Sequence, residues 1–133
     1  MLAPGRSNLL LLAVLLAGML FPFGLLAEHW PAFGGWADAV FPNEPAHWVG
    51  HAAIFAAVGL ALLRMWPALL RHPARYAAII LLGGLGQELL QRSYKGLRVS
   101  GNDLLDLCVD LAAAAAVFVL ARMRERRAGE GRP

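Results

Sequence analysis

Charge is what this chain has least of. Only 16% of its 133 residues are Asp, Glu, Lys or Arg, against 59% hydrophobic, and the mean hydropathy is +0.55. Soluble domains carry about 25% charged residues, so the composition argues against a soluble globule. It also excludes a disordered chain, which needs low hydrophobicity and high net charge. Cysteine is nearly absent: Cys108 stands alone, so no intrachain disulfide can form. No serine, cysteine or lysine stands beside a base in the pattern of an activated nucleophile, which weakens covalent catalysis as a function. The net charge is +3 and the pI about 9.8. In a soluble protein that balance suggests nucleic acid. Here the excess fits arginines that orient a membrane protein, and no nucleic-acid partner is expected.

What remains is apolar and comes in runs. The length allows one domain, or about four membrane spans of ~20 residues with short loops. Four runs fit: Asn8 to Ala27, Trp48 to Met65, Tyr76 to Tyr94, and Asp103 to Ala121. All are expected to be helices, because a span must satisfy its backbone hydrogen bonds internally. The expected fold is therefore an all-α bundle of four transmembrane helices over residues 1–127, followed by a frayed polar tail at 128–133. A cleaved signal peptide is the alternative for the first run, with Arg6 as its basic region. The stretch is long for one, however, and no small-x-small cleavage site follows it cleanly.

The placement of cations predicts topology. Arg6 precedes the first run, and Arg64, Arg71 and Arg75 mark the second loop. Arg122, Arg124, Arg126 and Arg127 fill the tail, while the first loop has acids and no Lys or Arg. Both termini and loop two are then cytoplasmic. The third loop opposes this, with Arg92, Lys95 and Arg98 on the outer side. Either the tail outvotes a single loop, or these cations are kept for an anionic partner or for nearby carboxylates.

Those carboxylates are the strongest functional signal. Asp103, Asp106 and Asp110 recur at i, i+3 and i+7, within an arc of ~60° on one helix face. Glu88 and Gln91 share a face of the third helix, and His47 and His51 lie one turn apart at the start of the second. Counting ~1.5 Å per residue puts His51, Glu88 and Asp110 at one level in the outer half of a bilayer. A charge facing lipid there costs ~2.5–3.5 kcal/mol, so these groups must face inward, pair, or hold a proton. Gly83, Gly84, Gly86 and the alanines of the fourth helix would let backbones approach around them. As plain interhelical glue each polar bond is worth only ~0.6 kcal/mol. A site is the stronger reading of intramembrane ionisable residues. Two histidines one turn apart beside acids also resemble zinc ligands, but no H-E-x-x-H spacing is present, and neither metal nor cofactor is expected. The tryptophans read as interface anchors. Cys108, about 200° around the helix from Asp106, reads as a small buried hydrophobe.

At these residues the sequence resembles the VanZ-like membrane proteins, from about His47 to Ala116. Shared features are a histidine with an aromatic four residues on (His51, Phe55), a Glu-x-x-Gln (Glu88, Gln91), and an arginine (Arg98). An Asp-x-x-x-Asn follows in the family, matched here by Asp106 and Asp110. Asp110 replaces the usual asparagine, which adds a potential negative charge there, and Ala113 replaces the usual glycine. The resemblance implies a small integral protein of a bacterial plasma membrane with four or so spans, and a link to glycopeptide (teicoplanin-type) resistance known for one member. The candidate site comprises His51, Glu88, Gln91, Arg98, Asp103, Asp106 and Asp110. Lys95 and Arg98 would meet an anionic, lipid-linked envelope component. The alternatives are an intramembrane acid–base enzyme acting on an envelope lipid, with His51 shuttling the proton, and a structural accessory subunit.

Overall fold

The computed structural model describes residues 5–21, 23–95 and 101–130. These residues form six α-helices and no strand: α1 (Arg6–Leu20), α2 (Phe23–His29), α3 (Pro31–Val40), α4 (Glu44–Met65), α5 (Pro73–Lys95) and α6 (Gly101–Glu130). A 3₁₀ turn, Pro67–Arg71, joins α4 to α5.

The first apolar run is not one helix. α1 stops at Leu20, and Phe21 is extended at φ −69°, ψ 132°. The next residue in sequence is Pro22, which lacks an amide donor and disfavours α geometry in the residue before it. At 15 residues, α1 alone reaches ~22 Å, short of a ~30 Å hydrocarbon core. The expected first loop is also largely helical, because Pro31 occupies a first-turn position that suits proline and starts α3.

α4 begins earlier than Trp48. Asn43 caps it, its side-chain oxygen accepting a hydrogen bond from the Ala46 amide at 3.0 Å, and Pro45 sits in the first turn. At the other end of the chain α6 continues past Ala121 to Glu130. The polar segment expected to fray from residue 128 is thus helical through 130; the arginines just before it, Arg124, Arg126 and Arg127, suit a helix C-terminus.

Two helices, Glu44–Met65 and Leu104–Gly129, are long and apolar enough to cross a membrane. Four such helices are not present among the described residues. α5 has the length, at 23 residues, but Gln87, Glu88, Gln91 and Arg92 make its second half polar.

α4, α5 and α6 pack around one core, with α1 laid against α4 and α5. Contacts fix the directions. His51 meets Asp110, and further along a Cβ on Gly59 would lie 3.7 Å from Ala114 Cα, so α4 and α6 run parallel. Tyr76 meets Ala114 whereas Gly84 meets Leu107, so α5 runs against them. Phe55, Val58, Leu62, Tyr76, Ile80 and Ala114 are the buried centre. At mid-height the Tyr76 hydroxyl donates to the Ala114 carbonyl at 2.9 Å, and its ring packs on Phe118 with centroids 5.1 Å apart. Gly59 faces that hydroxyl, leaving no room for a Cβ. Outside the core many large apolar side chains are exposed, Leu10, Val49, Leu82 and Leu89 by about two thirds each.

Candidate functional site

Three interior stripes meet above the Tyr76 layer. On α4 the sequence His51, Phe55, Val58 repeats at helical spacing. On α6 it is Asp106, Asp110, Ala114, and on α5 it is Ile80, Gly84, Glu88, Gln91. Each stripe is apolar or small where it nears the Tyr76 layer and ionisable beyond it. Glycine at position 84 permits the approach: a Cβ there would lie 2.7 Å from Leu107 Cδ1 and 3.8 Å from the Phe55 ring. Gly86, by contrast, faces open space and plays no part in it.

The centre of the site is a bond between α4 and α6. His51 Nδ1 lies 3.1 Å from Asp110 Oδ1. Asp110 is 1% exposed, and with Phe55 it is the largest fully buried side chain among the described residues. Glu88 is also buried, at 8%, and Asp106 is half-buried. With Asp110 ionised, the carboxylate only accepts, and Nδ1 then carries the proton of the pair. The imidazole is thereby held in one orientation, and Nε2 makes no hydrogen bond among the described residues. That nitrogen is left for a ligand, a water or a proton.

Two expected members are bonded to each other, His51 and Asp110; Asp106 stands one turn before Asp110 on α6, and Glu88 is buried on α5. Gln91 lies half-buried one turn beyond Glu88 on α5. Arg98 and the side chains of Lys95 and Asp103 lie outside the described residues, so the geometry says nothing of the expected anion contacts. Among the described residues no group of three or more His, Cys, Asp or Glu is arranged to hold a metal ion.

Two polar groups were not anticipated. Gln87 is buried, 9% exposed, and its Oε1 has no hydrogen-bond partner; Trp48 Nε1 is buried and equally unpartnered. A buried polar atom left unmade costs ~1–3 kcal/mol. One lies beside Glu88 in sequence and the other one turn before His51. Gln87 was legible as a polar residue inside an apolar run; Trp48 was not, because its indole also suits an interface. His47 stands apart, exposed, with its ring stacked on Phe41 at 5.4 Å. Cys108 is exposed rather than buried: the face of α6 opposite Asp106 points away from the bundle, so leaving the acidic stripe means leaving the core.

No family model, curated protein or solved structure matches this chain.

Proposed function

We propose that this chain is a VanZ-like integral membrane protein of a bacterial plasma membrane. In this reading the four apolar runs cross the bilayer, the first as the broken helix α1–α2, and both termini are cytoplasmic. The polar cluster around His51 and Asp110 then lies in the outer half of the membrane and binds an anionic, lipid-linked envelope component, with a bearing on glycopeptide resistance. The widespread exposure of leucine and valine supports lipid as the solvent, since soluble monomers rarely expose apolar patches beyond a few hundred Å².

One observation carries the assignment of a site. Asp110 is 1% exposed in a helix apolar enough to cross a membrane, and it holds His51 in a single orientation. As mere glue the pair is a poor device. Its bond is worth about 0.6 kcal/mol, whereas each intramembrane charge costs several times that. Glu88, Asp106 and Asp110 would hold Arg98 or accept from hydroxyl and amine groups of the ligand, and Lys95 and Arg98 would meet its phosphate or carboxylate.

The same geometry favours a second reading, an acid–base enzyme acting on an envelope lipid. A carboxylate on Nδ1 that leaves Nε2 unbonded is how a histidine is oriented as a general base, and Glu88 is the acid nearest in role. Replacing Glu88 by glutamine separates the readings. An enzyme loses turnover but keeps fold and ligand. A binding site whose carboxylate accepts from the ligand loses affinity. An accessory subunit tolerates the amide in stability and in teicoplanin sensitivity alike.

A further inference from the structure

A cleft lies at the opposite end of the bundle from the acidic cluster. It has a volume of about 370 Å³ and is lined by Leu70, Arg71, Arg122, Glu125, Arg126 and Gly129. Three of the six lining residues are arginines and one is an acid, a local excess of positive charge. The arginines come from two separate elements: Arg71 ends the 3₁₀ turn, and Arg122 and Arg126 lie one turn apart on α6.

The cleft is held in shape. Arg122 is half-buried, and its Nη1 donates to the Leu70 carbonyl at 3.4 Å. That bond ties α6 to the 3₁₀ turn and fixes one guanidinium at the cleft wall. A fixed guanidinium loses less side-chain entropy when it binds, and its planar fork matches a tetrahedral oxyanion. At Gly129 a Cβ would meet nothing within 4 Å, so the mouth is open on that side. Helix C-termini attract arginine through their carbonyls without any ligand. That explanation applies equally to Arg124 and Arg127, which are not in the cleft lining.

We infer that this cleft binds a phosphate group, and that its source is the headgroup of an anionic phospholipid. The cleft begins where the apolar part of α6 ends, at Ala121 and Arg122; with α6 crossing the bilayer, as proposed above, that is the level of a headgroup. Basic pockets between transmembrane helices on the cytoplasmic side recognise anionic headgroups in this manner. The site is distinct from the polar cluster and does not depend on it.

The test is thermal unfolding of the full chain in neutral detergent, titrated with phosphatidylglycerol, phosphatidylcholine or inorganic phosphate. Phosphatidylglycerol should stabilise the protein at low mole fraction, and the other two should not. The double variant Arg71→Gln/Arg126→Gln leaves the Arg122–Leu70 tether intact and should weaken the phosphatidylglycerol effect about tenfold or more, the worth of two cation contacts. Arg124→Gln/Arg127→Gln removes the same charge from outside the cleft and should stay within about threefold of wild type. Glu125→Gln should strengthen the effect; it adds a readout on a chain that keeps all its arginines. Stabilisation by inorganic phosphate with the same dependence on the arginines would uphold the phosphate site and overturn the lipid as its source. Equal responses from both double variants, or no preference for phosphatidylglycerol over phosphatidylcholine, would overturn the site itself.

Discussion

Replacing His51 by phenylalanine should unfold this protein more readily than its single hydrogen bond suggests. The reason is Asp110, which is 1% exposed and would lose its only hydrogen bond shown to a described side chain. Removing one partner of a buried pair costs about 3–5 kcal/mol, because the remaining charge stays buried and uncompensated. That is a change of roughly 200- to 5,000-fold in the unfolding equilibrium. The reverse single change, Asp110→Leu, should cost less, about 1–3 kcal/mol, the price of one unsatisfied polar group on an imidazole that keeps some exposure. The double variant His51→Phe/Asp110→Leu should recover most of the loss, since apolar replacement of a whole buried pair is often neutral or stabilising. The coupling between the two sites should then be about 3 kcal/mol or more, at the top of the usual range for residues in contact. The assay is equilibrium unfolding in mixed micelles by titration with a denaturing detergent. Single losses below about 1 kcal/mol that simply add within ~0.5 kcal/mol would refute the reasoning.

Other outcomes follow from the same geometry. Gly59→Ala places a Cβ against the Tyr76 hydroxyl, which is pinned to Ala114; overpacking there should cost about 1–3 kcal/mol in the same unfolding assay, and an unchanged stability would contradict the close packing. Arg98→Lys should keep most stability but lose the envelope phenotype, because ammonium lacks the planar fork of guanidinium; a fully active and stable Arg98→Ala would remove Arg98 from the site. With both termini cytoplasmic, a membrane-impermeant thiol reagent applied to intact cells should label Ala37→Cys and spare Gly129→Cys, in each case on a Cys108→Ala background; labelling of Gly129→Cys would invert the topology.

The sequence was most informative where polarity was out of place. Acids and a histidine inside apolar runs are costly enough that helical spacing alone put His51, Glu88 and Asp110 at one level, and the structure bonds His51 to Asp110, a pairing the spacing did not single out. Gly84 was legible for the same reason, as the small residue that a close helix approach needs. Hydropathy was a poorer guide to where helices begin and end. It runs unbroken from Asn8 to Ala27, yet the backbone breaks near Pro22, because proline removes a hydrogen bond without lowering apolarity. It also passed over α3, whose few residues between prolines form a helix that carries exposed Trp36. Cys108 shows a different limit. Its angular position was readable, but in a thin bundle the face opposite the core is surface, and apolarity does not tell core from surface when lipid is the solvent.

The most direct test of a ligand site at His51 and Asp110 uses the apolar pair that preserves packing. The full chain and its His51→Phe/Asp110→Leu variant are purified from bacterial membranes in mild detergent, and their bound lipids are identified by mass spectrometry. The expected result is a lipid-linked envelope component, bearing hydroxyl or amine groups besides its phosphate, that accompanies the wild-type chain. It should fall about tenfold or more in a variant of undiminished stability, the worth of at least one good polar contact. A wild-type chain that carries no such component, or a stable variant that carries as much of it, would contradict the site and leave the cluster as interhelical glue.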